Sequence, residues 1–258
     1  MAKFAANLTM LFTEVDFLER FEKAHSAGFK AVEYLFPYAF EAEALAEKMQ
    51  MFGFEQALFN MPPGDWDAGE RGFAAIPGRE DEFKQSVDAA LLYAEVLNCR
   101  KVHAMSGLID TNYTREQHTA TFISNIRYAA DKFAEHGIQL MIEPLNNRDV
   151  PHYFVAHQRE AVALIKQVDR PNVKLQLDLY HAQIMDGDLS TLIKEVAPFI
   201  GHVQIASVPE RHEPSEGELN YPHLFTVLDE SGYQDWIGCE YNPRNTTEEG
   251  LGWVKPYL

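Results

Sequence analysis

Short apolar runs alternate with longer stretches of helical period along the whole chain. The first run is Phe4 to Leu8. A helical stretch from Asp16 to Ala27 follows and stops at Gly28, a residue type suited to the left-handed turn at a helix C-terminus. Ala31 to Leu35 then reads as a second strand, Glu41 to Phe52 as a helix and Gln56 to Phe59 as a third strand. Pro62, Pro63 and Gly64 end that strand in a long loop, and segment 80–97 resumes the helical period. Lys101 to Met105 and Thr114 to His136 form the next strand and helix, closed by Gly137. Ile138 to Glu143 is the continuous apolar run expected of a parallel strand covered on both faces, and Pro144 ends it. Helix 158–168, strand Val173 to Asp178, helix 188–197, strand His202 to Ala206, helix 221–230 and strand Trp236 to Glu240 complete the pattern.

Eight β/α units with no linker between them predict one domain over residues 1–258, a single (β/α)8 TIM barrel. No Gly-x-Gly-x-x-Gly follows the first strand, which argues against a doubly wound dinucleotide fold. Charge changes the picture more than composition does. Thirty-nine acidic residues against 22 basic ones leave −17, a field that repels nucleic acid and anionic membranes. The same field opposes a small anionic substrate unless a local cation or metal reverses the sign in the pocket. Cys99 and Cys239 are too few for a disulfide framework, and the start lacks a secretory apolar run. The expectation is a soluble, unprocessed, cytoplasmic protein, with exposed aromatic loops leaving a homo-oligomer open.

In such a barrel the residues that close the strands converge on one mouth. Glu143, Asp178 and Glu240 close strands five, six and eight. Gln204, in the middle of a short strand seven between Val203 and Ile205, alternates toward the same mouth. Each acid alone serves equally well as a loop cap or as the partner of a surface arginine. Together, three carboxylates at one mouth raise one another's pKa values unless a cation sits among them. Glu143, Asp178, Gln204 and Glu240 form an all-oxygen ligand set, which suits Mg²⁺ or Mn²⁺ better than zinc. His181, in the loop after strand six, is a candidate to hydrogen-bond a substrate oxygen, and His103 either lines the pocket or sits in the core. His152, His157, His202, His212 and His223 take no role from pattern. For a substrate carboxylate the candidate cations are Arg211, Arg71 and Arg79, with Arg211 and Arg71 favoured. Loop 60–78, which carries Trp66, is either a lid or a plainly packed connection.

Longer stretches carry a resemblance: Phe4 to Phe12, Gly64 to Gly72, Ile76 to Glu80, Ile142 to Asn146, Gln176 to His181, Glu213 to Tyr221 and Ile237 to Tyr241. Over nearly its whole length the sequence resembles the hydroxypyruvate isomerase family of xylose-isomerase-like barrels. The resemblance implies an aldose–ketose-type isomerase that interconverts hydroxypyruvate and tartronate semialdehyde through an enediolate, with close relatives acting on 2-oxo-tetronate. It implies that Glu143 and Glu240 are the catalytic, proton-transferring pair. The wider superfamily implies a divalent metal on Glu143, Asp178, Gln204 and Glu240, although ketose epimerases have a His where this chain has Gln204. The partner so implied is a small anionic hydroxy-oxo acid, with no nucleic acid and no membrane. Two other classes stay in view: metal-dependent phosphodiester cleavage, which uses several His ligands and basic clefts, and a non-catalytic sugar-acid binding barrel.

Overall fold

The computed structural model describes residues 2–258, and among them eight parallel strands run in chain order and close on themselves. The strands are β1 (Lys3–Asn7), β2 (Ala31–Tyr34), β3 (Glu55–Asn60), β4 (Lys101–His103), β5 (Gln139–Ile142), β6 (Val173–Asp178), β7 (Ile200–Ile205) and β8 (Trp236–Cys239). Between them lie α1 (Arg20–Ala27), α2 (Ala42–Phe52), α3 (Glu80–Val96), α4 (Arg115–Ala134), α5 (Gln158–Val168), α6 (Leu179–Met185), α7 (Leu189–Val196) and α8 (Tyr221–Glu230), and a short α9 (Thr247–Gly250) follows β8. The expected closed barrel is therefore present. No helix among the described residues is long and apolar enough to cross a membrane.

Side-chain alternation sorts each strand into two faces. Phe4, Val32, Leu140, Leu175, Val203 and Ile237 belong to the large apolar core under the helices. The alternate positions point into the barrel, where a small cluster of Ala5, Ala31 and Ala57 lies apart from that core. Higher in the lumen the alternate positions are polar: Asn7, Glu33, His103, Gln176, Asp178, His202 and Gln204 are all buried. Barrel interiors are ordinarily filled by branched apolar side chains, so this lumen is unusual in its polarity. β5 keeps the expected apolar character on both faces, with Leu140, Met141 and Ile142 all buried.

Two local features place the site. First, β7 starts two residues and ends one residue earlier than the sequence pattern indicates, at Ile200–Ile205, so Gln204 stands next to the strand's end and not in its middle. The register sets Asp178 beside Gln204 and Gln204 beside Gly238 in one row across β6, β7 and β8. Second, the segment after β6 is a helix and not a loop. Asp178 is the N-cap of α6, its Oδ1 accepting the Tyr180 backbone N–H at 2.8 Å, which satisfies a helix-start donor and carries His181 onto the first turn.

The long connection after β3 is fixed at its stem. Ala74 and Ala75 donate backbone N–H groups to Met105 and Ser106 beyond β4. Gly72, at φ +85°, runs so close to Met105 that a Cβ there would meet its atoms at 2.3 Å. Only the tip, which holds Trp66 and Arg71, reaches over the barrel mouth.

Candidate active site

A cavity of about 240 Å³ opens at the C-terminal ends of the strands, lined by Met10, Leu35, Asn60, Trp66, Arg71, Met105, Glu143, Leu145, Asp149, Val150, His181, Arg211 and Glu240. Glu143 and Glu240 lie one residue beyond β5 and β8, so the two strands aim them across the same space. Asp178, Gln204 and His103 stand behind this wall. All five, with His181, are buried.

Arg211 is the cation that meets the acids. Its Nη2 donates to Glu240 Oε2 at 2.5 Å and stands 3.7 Å from Asp178 Oδ2. Its guanidinium also lies 4.9 Å from the centre of the Tyr180 ring, whose hydroxyl donates to Asp149. The backbone at Arg211 has φ +59°, a conformation that is costly for a long side chain and that clusters at functional sites. Arg71 reaches the cavity differently: its guanidinium stacks 3.7 Å from the Trp66 ring centre and donates to the Trp66 and Glu70 carbonyls. Arg79, the third candidate, is tied into Glu70 and Glu82 and does not line the cavity.

The acids are electrostatically strained. Burial pushes the Glu143 carboxyl well above the usual carboxylate range, and Glu240 and Asp178 add to it. Burial also pushes Glu240 up to about 8 although Arg211 pulls it back. Asp178 is raised by burial and held down in part by Arg211 and by the Tyr180 and His181 backbone N–H groups. Two buried carboxyls that face one cavity in this way resist being ionised at the same time.

The histidines are neutral donors and acceptors here. Burial and Arg211 hold His181 well below its ordinary range. Its Nδ1 accepts the Asn146 backbone N–H at 3.2 Å, so the proton of the neutral ring sits on Nε2, 3.5 Å from Asp178 Oδ2. His181 therefore presents an N–H to the cavity, the role expected for a group that binds a substrate oxygen. His103 is pushed down to about 3 by burial, and its Nδ1 lies 3.2 Å from Asn60 Oδ1 and 3.5 Å from Glu143 Oε2. It backs Glu143 and does not line the cavity.

Donor chemistry fits a divalent cation. Glu143 and Asp178 offer carboxylate oxygens within 4.8 Å of one another, with a His181 ring nitrogen at the same range beside them. Glu143 Oε1 and Asp178 Oδ2 are buried and have no hydrogen-bond partner among the described residues. Such bare carboxylate oxygens are the atoms a hard cation takes. Gln204 is placed less directly: its Nε2 donates to Glu33 at 2.8 Å and its Oε1 accepts from Gln176 at 2.6 Å.

Sequence reasoning missed Glu33, Asn7, Gln176 and His202, which form the floor beneath the cavity. The signal was present in the alternation of Ala-Val-Glu-Tyr at 31–34 and Leu-Gln-Leu-Asp at 175–178, which puts each polar residue on the lumen face.

A profile of the xylose isomerase-like TIM barrel family matches residues 21–257. The chain belongs to that family. Within it, this chain is 53% identical over its full length to a 2-oxo-tetronate isomerase of Pectobacterium atrosepticum, covering 98% of that protein. It is 47% identical, over the full length of both chains, to the hydroxypyruvate isomerase of Escherichia coli. A solved family member named AP endonuclease, family 2, from Brucella melitensis superposes with a TM-score of 0.98 at 60% identity, covering 100% of this chain and 99% of the other.

The carboxyl shifts give this family member a pH-dependent stability. The Glu240 carboxyl rises from an ordinary 4.5 to about 8, so between those values the folded chain keeps a proton that the unfolded chain has released. Its contribution is full below 4.5 and is lost as pH rises toward 8. His103 works in the opposite direction, since its stabilising neutrality is lost as pH falls from 6.5 toward 3. Above pH 6.5 only the carboxyl slope remains. With chelator present, the melting temperature is expected to fall from pH 6.5 to pH 8, and Glu240→Gln should flatten that fall. A flat wild-type profile would contradict the burial-driven shift.

Proposed function

We propose that the protein is an aldose–ketose-type isomerase that interconverts hydroxypyruvate and tartronate semialdehyde. The observation that carries this reading is the pair of buried carboxyls, Glu143 and Glu240, both raised by burial and facing one small cavity beside arginine. Moving a carbonyl between adjacent carbons requires a base to take the C3 proton and an acid to return a proton at C2, with an enediolate between and the C3 hydroxyl proton passing to the C2 oxygen. The two glutamates differ in the required sense. Glu240 is held toward the carboxylate by Arg211 and by Asn7 Nδ2 at 3.4 Å, which suits the base. Glu143 lacks such donors and burial raises it well above the usual carboxylate range, which suits the acid.

Arg211 and Arg71 grip the substrate carboxylate, planar guanidinium against planar anion. His181 Nε2–H donates to a substrate oxygen. Glu143, Asp178, Glu240 and the Gln204 amide oxygen would hold Mg²⁺ or Mn²⁺, which supplies charge for the developing enediolate. The tip at Trp66 and the apolar wall of Leu35, Met105 and Leu145 limit water around the intermediate.

A four-carbon reading, 2-oxo-tetronate isomerisation, is favoured by the 53% identical relative. The chemistry is the same, with a further carbon on C3. Phosphodiester cleavage, which the Brucella name brings to mind, is opposed by the net charge of −17 and by the absence of a histidine at Gln204. Cys99 and Cys239 are free and buried, which supports a reducing, cytoplasmic compartment.

Deuterium tests the reading. In D₂O with Mn²⁺, hydroxypyruvate and 2-oxo-tetronate are incubated with the protein and followed by proton NMR. Label entering a substrate carbon is the expected result, and the faster substrate sets the carbon number. A bound but unlabelled substrate would identify a binding barrel instead.

A further inference from the structure

We infer that Glu33, which no strand-end pattern marks, is a positioning residue for this site and acts through Asn7 on Glu240 and through the Gln204 amide. The inference rests on the isomerase reading above. Glu33 is wholly buried in the lumen below the cavity. Its Oε1 accepts from Asn7 Nδ2 at 3.0 Å and from Gln204 Nε2 at 2.8 Å, and its Oε2 accepts from His202 Nε2 at 2.6 Å. The wall is hollowed to admit it: a Cβ at Gly238 would stand 2.2 Å from Glu33 Oε1, so β8 needs glycine where the carboxylate sits. Replacing a buried charged group by well-packed apolar side chains is often neutral or stabilising, because desolvating a carboxylate offsets much of what its partners contribute. Stability alone therefore does not account for it.

What the carboxylate does is orient two amides. Asn7 Nδ2 lies between Glu33 Oε1 and Glu240 Oε1, at 3.0 and 3.4 Å, and Asn7 Oδ1 accepts the Thr9 backbone N–H at 3.0 Å. The amide is thus held with its donor toward both acids, and the register that pairs Asn7 with Glu33 keeps it there. At Gln204, Glu33 takes the amide nitrogen and turns the amide oxygen away from itself, toward Gln176. A divalent cation accepts the oxygen of an amide and not its nitrogen, so Glu33 determines whether Gln204 offers a ligand atom or a repelling N–H group.

The test is Glu33→Leu, which removes the acceptors at similar volume. Groups that orient a site from behind typically cost about 10- to 100-fold in activity or metal affinity when removed, and kcat and calorimetric Mn²⁺ affinity should each fall in that range. KM for the faster substrate should stay within about threefold, because no substrate contact is lost. Glu33→Gln, whose amide oxygen still accepts from Asn7 and Gln204, should recover most of kcat. A merely structural Glu33 would lower the melting temperature and leave kcat, the kcat-to-KM split and Mn²⁺ affinity unmoved. Should Glu33→Leu fail to fold by circular dichroism, Asn7→Ala asks the same question, with kcat expected to fall about tenfold at unchanged KM. Wild-type kcat in folded Glu33→Leu, or in Asn7→Ala, overturns the inference and leaves the isomerase reading standing. A wild-type protein that neither turns over nor labels either substrate overturns that reading and this inference with it.

Discussion

Glu143→Gln and Glu240→Gln will each lower kcat by a factor on the order of 10² to 10⁴, the usual contribution of a positioned proton-transfer group. Both changes keep volume, and neither leaves a cavity. Glutamine has no transferable carboxyl proton, so either half of the proton relay stops. At Glu240 a second effect joins: the Arg211 Nη2 donor, 2.5 Å from Glu240 Oε2, loses its anionic acceptor. Because base and acid act in one sequence, the double variant should be little worse than the slower single one. Steady-state rates combined with deuterium wash-in check this. Near-wild-type wash-in by both single variants would remove these residues from the chemistry.

Arg211→Met should lower kcat/KM by the equivalent of about 2–5 kcal/mol, the range found when one partner of a buried, hydrogen-bonded charge pair is truncated. Arg211 meets Glu240 and Asp178, and burial of its own charge is outweighed by Glu240, Asp178 and Glu143, which hold it protonated. Its loss has a direction as well as a size. Arg211 lowers the Glu240 carboxyl, which stands at about 8 with that help, so without it the ionised base forms only at higher pH. The pH–rate profile should move to the alkaline side and KM should rise as the carboxylate grip is lost. Arg211→Lys restores charge without the planar fork, and should recover the pH profile better than KM. An unmoved profile with an unmoved KM would place Arg211 outside both roles.

The barrel was legible because each strand run is bracketed by glycine, proline or a cap, and eight such units in one unbroken chain without a Gly-rich fingerprint after the first favour closure over an open sheet. Glu143, Asp178 and Glu240 were legible for a related reason: a charged residue ending an apolar run needs a destination, and barrel topology supplies one. What stayed hidden depends on which way a side chain faces. Glu33 sits inside a strand, so only its partners from β1 and β7 distinguish a lumen floor from a surface acid. His202 took no role from pattern because its partner lies 169 residues away. His181 was placed in a loop because the helix that carries it begins on the very residue that ends β6. Arg211 owes its reach to a left-handed backbone that its residue type does not advertise.

Asp178 gives one oxygen to the first turn of α6 and leaves the other facing Arg211 and His181. Folding and chemistry are thereby coupled in a single side chain. Fraying of α6 would swing the free oxygen and the His181 ring together, so the site has no half-assembled form in which one is in place without the other. It also follows that Asp178 offers little room for tuning, since any change to its charge or length loosens the segment that aims His181. Divergence of substrate preference within this scaffold is better accommodated by the loop tip at Trp66 and Arg71, whose stem is anchored independently on the segment just beyond β4.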